Sequence, residues 1–449
     1  MNDHDKPEPQ TTADRLGLVV SGSLAGGLDV RLDSSRSVEE MAVGRYVTVQ
    51  GRRSRFFGII TDVELRAANR DIPWSLPEAA DDFAREVMAG TTTFGSLHVV
   101  PYLKVGPTAD AQPEPAKTVP AHFAEVRQAS QEDVERIFGQ EDESHFVIGS
   151  PLDMEVKVCL NYQRFAERSN GVFGKSGTGK TFLARIVLAS LIQKSNAQRE
   201  AEKRVVNLVF DMHNEYGWSS QDEAKREIKG LRQLFPTGQV SCFTLDEPSS
   251  RRRGSKVDGV VRIGYDQIEP EDVDGLSSLM ALSDVQVGAL YFLRRRLGQR
   301  WVARLLDEED PLEELEGALE RGTIHGGTLG AIQRKLGMFR RFEFLQERVS
   351  EDPVRQILDY LDRGVNITLE FGRYGNSLEA YLLVANYITR RIHTHYVRRK
   401  EEALGEQGKE PRPLVITIEE AHKFLDPTVA RHTILAPSPA SCASTTSRC

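Results

Sequence analysis

Between Asn170 and Ile192 the chain reads N-G-V-F-G-K-S-G-T-G-K-T-F-L-A-R-I-V-L-A-S-L-I, and Gly174 to Thr181 fits G-x-x-x-x-G-K-[ST]. No other stretch restricts the fold as much. A backbone that wraps a polyphosphate must come closer to it than a Cβ allows, and Gly174, Gly177 and Gly179 meet that need. The N–H groups along Gly174, Lys175, Ser176, Gly177, Thr178 and Gly179 then turn toward the anion. Lys180 is placed to reach the β- and γ-phosphates, and Thr181 to set its hydroxyl on Mg²⁺. The flanks agree: Gly171 to Phe173 leads in as a strand end, and Phe182 to Gln193 follows as an amphipathic helix whose N-terminus favours phosphate. The fold class that follows is α/β, a P-loop core.

At 449 residues the chain holds two or three domains. Its 39% hydrophobic and 28% charged residues are those of a globular protein, and no run of 18 apolar residues predicts a membrane span. Met1 to Gln10 is polar and acidic, with no secretory signal. Cys159, Cys242, Cys442 and Cys449 form no close metal-ligand pair and are too sparse for a disulfide framework, so a reducing cytoplasm is expected. A net charge of −8 excludes a protein coated in basic residues. It leaves room for one that confines its basic groups to a pore.

Residues 1–13 read as a disordered tail. From 14 to 120, short β-like runs at Leu16 to Ser21, Leu28 to Leu32, Tyr46 to Gln50, Phe56 to Val63 and Leu97 to Val105 predict a small N-terminal β-barrel. Pro73 to Met88 is expected to be a loop with a short helix, and the Pro- and Ala-rich 106–120 a linker. The ATPase-type core is assigned to 121–435. Within it Gln131 to Phe138 reads as helix and Phe146 to Leu160 as extended chain. Residues 269–364 form a helical insertion, and a long helix begins at Leu378 with Tyr381, Ala385, Ile388 and Ile392 on one face.

Two apolar runs end in polar residues. Arg204 to Phe210 reads as a buried parallel strand and runs into Asp211-Met212-His213-Asn214-Glu215-Tyr216, where ligands of an open α/β sheet gather. Leu414 to Ile418 is the second, ending in Glu419-Glu420-Ala421-His422. After a P-loop this reads as a Walker B site, with Glu419 supporting Mg²⁺ and Glu420 orienting or activating water. Ser249 to Lys256, S-S-R-R-R-G-S-K, is a candidate DNA-contacting loop or a solvated basic loop.

Taken together, G-K-S-G-T-G-K-T, D-M-H-N-E-Y and I-E-E-A-H-K-F-L, preceded by a strand-rich domain, resemble the HerA branch of the HerA/FtsK-type ATPases over residues from about 14 to 435. The N-terminal part looks like the barrel those proteins share with rotary ATP synthase subunits. The resemblance implies a homo-hexamer that translocates double-stranded DNA with ATP and Mg²⁺, partnered by a NurA-type nuclease in end resection and repair. It implies that Lys180 and Glu420 are catalytic and that Thr181 and Glu419 serve the metal. Gly174 to Thr181, with Asp211, His213 and Glu215, would serve the nucleotide, and Arg168 a neighbouring subunit's phosphate. Two alternatives stay open: a HerA-like scaffold of an antiphage complex with a separate effector enzyme, and a conjugation or secretion ATPase.

The family pattern holds through Ile434 and then stops. Residues 436–449 form an aberrant tail, and Leu435 to Cys449 is rich in Ser, Ala and Thr without apolar periodicity. The expectation is a tail translated out of frame and a chain close to inactive as it stands.

Overall fold

A computed structural model describes residues 15–425 apart from 70–82, 84–86, 89–91, 109–110, 152–153, 222–224 and 407. The chain divides into two compact units, Met1–Asn161 and Tyr162–Cys449. The tail from Leu435 and most of the Pro73 to Met88 insertion lie outside the described residues; Phe83, Val87 and Met88 are helical.

The first unit is built on β1 (Arg15–Ser23), β2 (Gly27–Leu32), β3 (Tyr46–Gln50), β4 (Arg55–Ala67), β5 (Thr93–Val105), the two-residue β6 (Glu114–Pro115) and β7 (Glu125–Gln128). Their order is β2-β1-β7-β3-β4-β5-β6, and a further β2–β5 pairing closes six of them into a barrel. Alternate residues point inward: Leu28, Val30, Val47, Val49, Leu97, Val99 and Val126 fill the interior. At Gly17 the neighbouring strand passes so near that a Cβ would stand 2.1 Å from the Arg31 carbonyl oxygen, so only glycine fits. The sequence placed the barrel boundary at 120. The closing strand β7 lies beyond it, as do the helix Gln131–Phe138 and the hairpin of β8 (His145–Gly149) and β9 (Val158–Asn161), and all three belong to this unit. Ser130 and Asp133 cap that helix reciprocally, and Arg55 of β4 reaches Asp133 at 2.6 Å.

The second unit holds a five-stranded parallel sheet. Its strands are β10 (Val206–Asp211), β13 (Val240–Thr244), β14 (Gly259–Val260), β17 (Asn366–Glu370) and β18 (Leu414–Ile418), in the order β14-β13-β17-β10-β18. Two short pairs flank it, β11 (Ser220–Gln221) with β12 (Glu227–Ile228) and β15 (Ile263–Gly264) with β16 (Leu345–Gln346). Every residue of β10 and β17 is buried, so the polar Asn207, Asn366 and Thr368 lie inside along with their apolar neighbours. Helices between Pro270 and Asp362 form the insertion and share the main core, around Trp301, whose Nε1 donates to the Ile268 carbonyl at 2.8 Å. The helix Leu378–Leu404 is capped by Ser377 and buries Tyr381, Ala385, Ile388 and Ile392 as its periodicity predicts. Near its middle, Arg390 and Arg391 both close on the fully buried Asp272 carboxylate, Arg390 at 2.8 Å and Arg391 at 3.3 Å. No helix among the described residues is long and apolar enough to cross a membrane.

Two local expectations are corrected. Gly171 to Phe173 is not a strand end: it forms no ladder with any described strand, and Phe173 is 91% exposed. Three residues without a neighbouring strand have no partner for their backbone groups, so their apolar character alone does not make them extended sheet. The basic Ser249 to Lys256 segment is not an open loop either. Its first half belongs to the helix Glu247–Arg252, capped by Asp246, and Arg253 and Ser255 turn in to the Glu370 carboxylate.

Candidate functional site

Parallel strands deliver their last residues to one edge, and here three of them carry carboxylates. Asp211 ends β10, Glu370 ends β17 beside it in register, and Glu419 follows β18 on the other side of β10. Each has a different environment.

Asp211 is 0% exposed. Its carboxylate accepts from the backbone N–H of Glu215 at 2.7 Å, Tyr216 at 2.8 Å and Gly217 at 3.1 Å. It therefore folds the D-M-H-N-E-Y segment into a tight turn, with Asn214 in the left-handed region at φ 59°. Burial pushes the Asp211 carboxyl up to about 7, aided by the charges of Glu419 and Glu370 and opposed by the loop N–H groups. Glu370 is taken up by structure. It accepts from Arg253 at 2.6 Å, Ser250 at 2.7 Å and Ser255 at 3.0 Å, all from the segment read as a DNA loop.

Glu419 is buried, and its Oε2 accepts from the His213 N–H at 3.1 Å. Burial, with the charges of Glu215 and Glu420, pushes it up to about 7, against the His213 N–H that favours its charged form. A carboxylate in that position is one that a cation returns to its ionised form. Glu420 lies between two imidazoles, with His213 Nε2 at 3.9 Å and His422 Nδ1 at 3.1 Å. Its backbone sits at φ 50°, a conformation that costs a non-glycine residue about 1 kcal/mol or more and persists where the surroundings enforce it. The surroundings are visible: the Tyr381 hydroxyl donates to the Glu419 carbonyl at 2.7 Å, and the short helix His422–Leu425 follows at once.

The P-loop takes the backbone its glycines allow. Gly177 and Gly179 stand at φ 77° and 86°, and a Cβ on Gly174 would meet Thr178 Oγ1 at 2.6 Å. Lys180 opens the helix Lys180–Ala197, and its Nζ donates to the Lys175 carbonyl at 2.8 Å, as does Thr178 Oγ1. Lys175, Ser176, Gly177, Thr178 and Gly179 are exposed, with Thr181 half-buried just behind them. The helix lays Leu188 and Ile192 against Val209 of β10, so one strand backs both the P-loop helix and the acidic turn. Arg168 is exposed in the chain leading to the P-loop, its carbonyl accepting from Asn170.

Asp211, His213, Glu215, Glu419 and Glu420 thus form one cluster. Tyr381 and His422 contribute to it without having been singled out in sequence. Tyr381 looked like one more apolar residue of a helical stripe, and His422 like a residue of the following turn. Among the described residues no group of three or more His, Cys, Asp and Glu side chains makes a metal cage. The donor set is that of a cation shared with phosphates and water, for which Thr181 and Glu419 could supply the protein oxygens.

The family model described as Helicase HerA, central domain, matches residues 146–392. Among solved structures, VirB4 of Thermoanaerobacter pseudethanolicus is similar at 14% identity, over 65% of this chain and 81% of that one, with a TM-score of 0.33. No curated protein matches. The family match covers more than half of the chain, including the P-loop and the β10 turn, and the chain therefore belongs to the HerA helicase central-domain family of P-loop ATPases.

Proposed function

We propose that the protein is an ATP-hydrolysing ring motor, a homo-hexamer that translocates double-stranded DNA and works with a NurA-type nuclease in end resection and repair. Family membership supports the ATPase. The observation that carries the chemistry is the Glu420 carboxylate, held at the sheet edge between His213 and His422 and next to the buried Glu419. In this reading the N–H groups from Gly174 to Gly179 cradle the phosphates, and Lys180 leaves the Lys175 carbonyl to pair with the β- and γ-oxygens. Glu420 takes the proton of the attacking water, and His213 and Glu215 orient the nucleotide side of the turn. Mg²⁺, held through Thr181 and Glu419, would supply charge neutralisation on the phosphates. Arg252 and Lys256 of the basic segment stay exposed and offer phosphate attraction.

Turnover of ATP by the full-length protein, with and without double-stranded DNA, tests the proposal. Lys180→Ala is expected to abolish turnover. Glu420→Gln should keep ATP binding and slow hydrolysis by about 10²-fold or more. DNA should stimulate the wild type, and light scattering should give the mass of six chains. Unchanged turnover in Glu420→Gln removes the base; a stable monomer with full DNA-dependent activity removes the ring.

A further inference from the structure

Arg185 lies one helical turn beyond Thr181 on the P-loop helix, on the same face. It is only 5% exposed. Its Nη2 donates to the backbone carbonyl of Glu215 at 2.6 Å and to Ser220 Oγ at 3.1 Å, and the guanidinium lies 6.0 Å from the Tyr216 ring. Its other nitrogens, Nε and Nη1, are buried without a hydrogen-bond partner, and no carboxylate among the described residues forms an ion pair with it. Arginine does not shed its charge in a protein, so this is a buried cation with part of its hydrogen-bonding capacity unused.

As a staple this arrangement is poor. A buried charge with incomplete partners is less stable than an apolar side chain of similar volume, and departures of this kind concentrate where function needs them. The two ends of the contact show what is joined. One is the helix that begins with Lys180 and Thr181. The other is the turn that carries His213 and Glu215, whose shape Asp211 sets from beneath.

We infer that Arg185 is a positioning residue for hydrolysis: through the Glu215 carbonyl it sets the acidic turn relative to the P-loop helix. The inference rests on the ATPase reading above. It does not concern the phosphates themselves, which the P-loop holds; it concerns where the turn stands when they are held. Misplacing a catalytic group by about 1 Å is enough to cost about 10²-fold in rate.

The test uses full-length protein and two variants, Arg185→Met and Arg185→Lys, with three readouts: melting temperature, affinity for a fluorescent ATP analogue, and kcat per nucleotide-binding site. Arg185→Met removes the buried charge at nearly constant volume. It is expected to melt at the wild-type temperature or higher and to bind nucleotide as the wild type does, yet to lose about 10²-fold in kcat. Arg185→Lys, which keeps one donor for the Glu215 carbonyl, is expected to recover most of that loss. A kcat in Arg185→Met equal to wild type overturns the inference. So does a lowered melting temperature with kcat per site unchanged, or a loss that lysine fails to restore. Wild-type protein that binds no nucleotide and hydrolyses none overturns the ATPase reading and this inference with it, and the wild type alone reveals that case.

Discussion

Asp211 joins the turn to the sheet, and its titration can be followed. Its folded-state carboxyl is pushed up to about 7, against about 4 for an ordinary aspartate. Between those values the native protein binds a proton that the unfolded chain has released, so stability falls as pH rises through the window and levels off above it. The groups facing it are Glu419 and Glu370, which raise it, and the N–H groups of Glu215 and Tyr216, which lower it. Thermal melting without nucleotide is therefore expected to drop from about pH 5 to about pH 7.5. In Asp211→Asn the slope should shrink to the share of Glu419, which is also pushed up to about 7, although the variant melts lower throughout. A slope unchanged by Asp211→Asn would assign the titration to another group. The family resemblance implied a nucleotide contact for Asp211, which ends an apolar strand. Its three backbone partners lie within six residues, but which way the carboxylate turns is decided by the turn's backbone, and no residue type announces that.

At the scale of elements, β10 and β18 were legible as short runs dominated by Val, Ile, Leu and Phe, and β17 by its β-branched and apolar residues. The barrel's closing strand was not. Glu125–Gln128 reads E-V-R-Q, and only Val126 turns inward, too little for a period to show. The basic segment misled for a related reason. Its charge is visible in sequence, but the Glu370 that receives Arg253 lies 117 residues away. That contact makes a contrast testable. Arg253→Ala leaves a buried carboxylate with only its serine partners, and a loss of about 2 kcal/mol is expected. Arg252→Ala, from an exposed neighbour, should stay within about 0.5 kcal/mol. Urea midpoints measure both. Equal midpoints for the two variants would show that Glu370 does not depend on Arg253.

Across the whole molecule, the two units have separate apolar cores, one inside the barrel and one around the sheet and insertion. Separate cores predict separate unfolding transitions in calorimetry. A non-hydrolysable ATP analogue at about 100 times its Kd should stabilise the unit from Tyr162 onward by about 2.7 kcal/mol and leave the barrel's transition in place. A single transition that moves as one would mean the cores melt together. A nucleotide-driven shift of the barrel alone would put the binding site in the wrong unit.

The helix Leu378–Leu404 has a mechanical side. Its 27 residues span about 40 Å. The Asp272 clamp at Arg390 and Arg391 divides it into arms of about 14 Å toward Tyr381 and about 20 Å toward Leu404. Tyr381 grips the main chain of Glu419, while Leu404 stands 87% exposed at the other end. Buried along much of its length and tied again to Asp362 through Arg399 at 3.1 Å, the helix is a rigid strut with one end holding the main chain of Glu419 and the other standing at the surface.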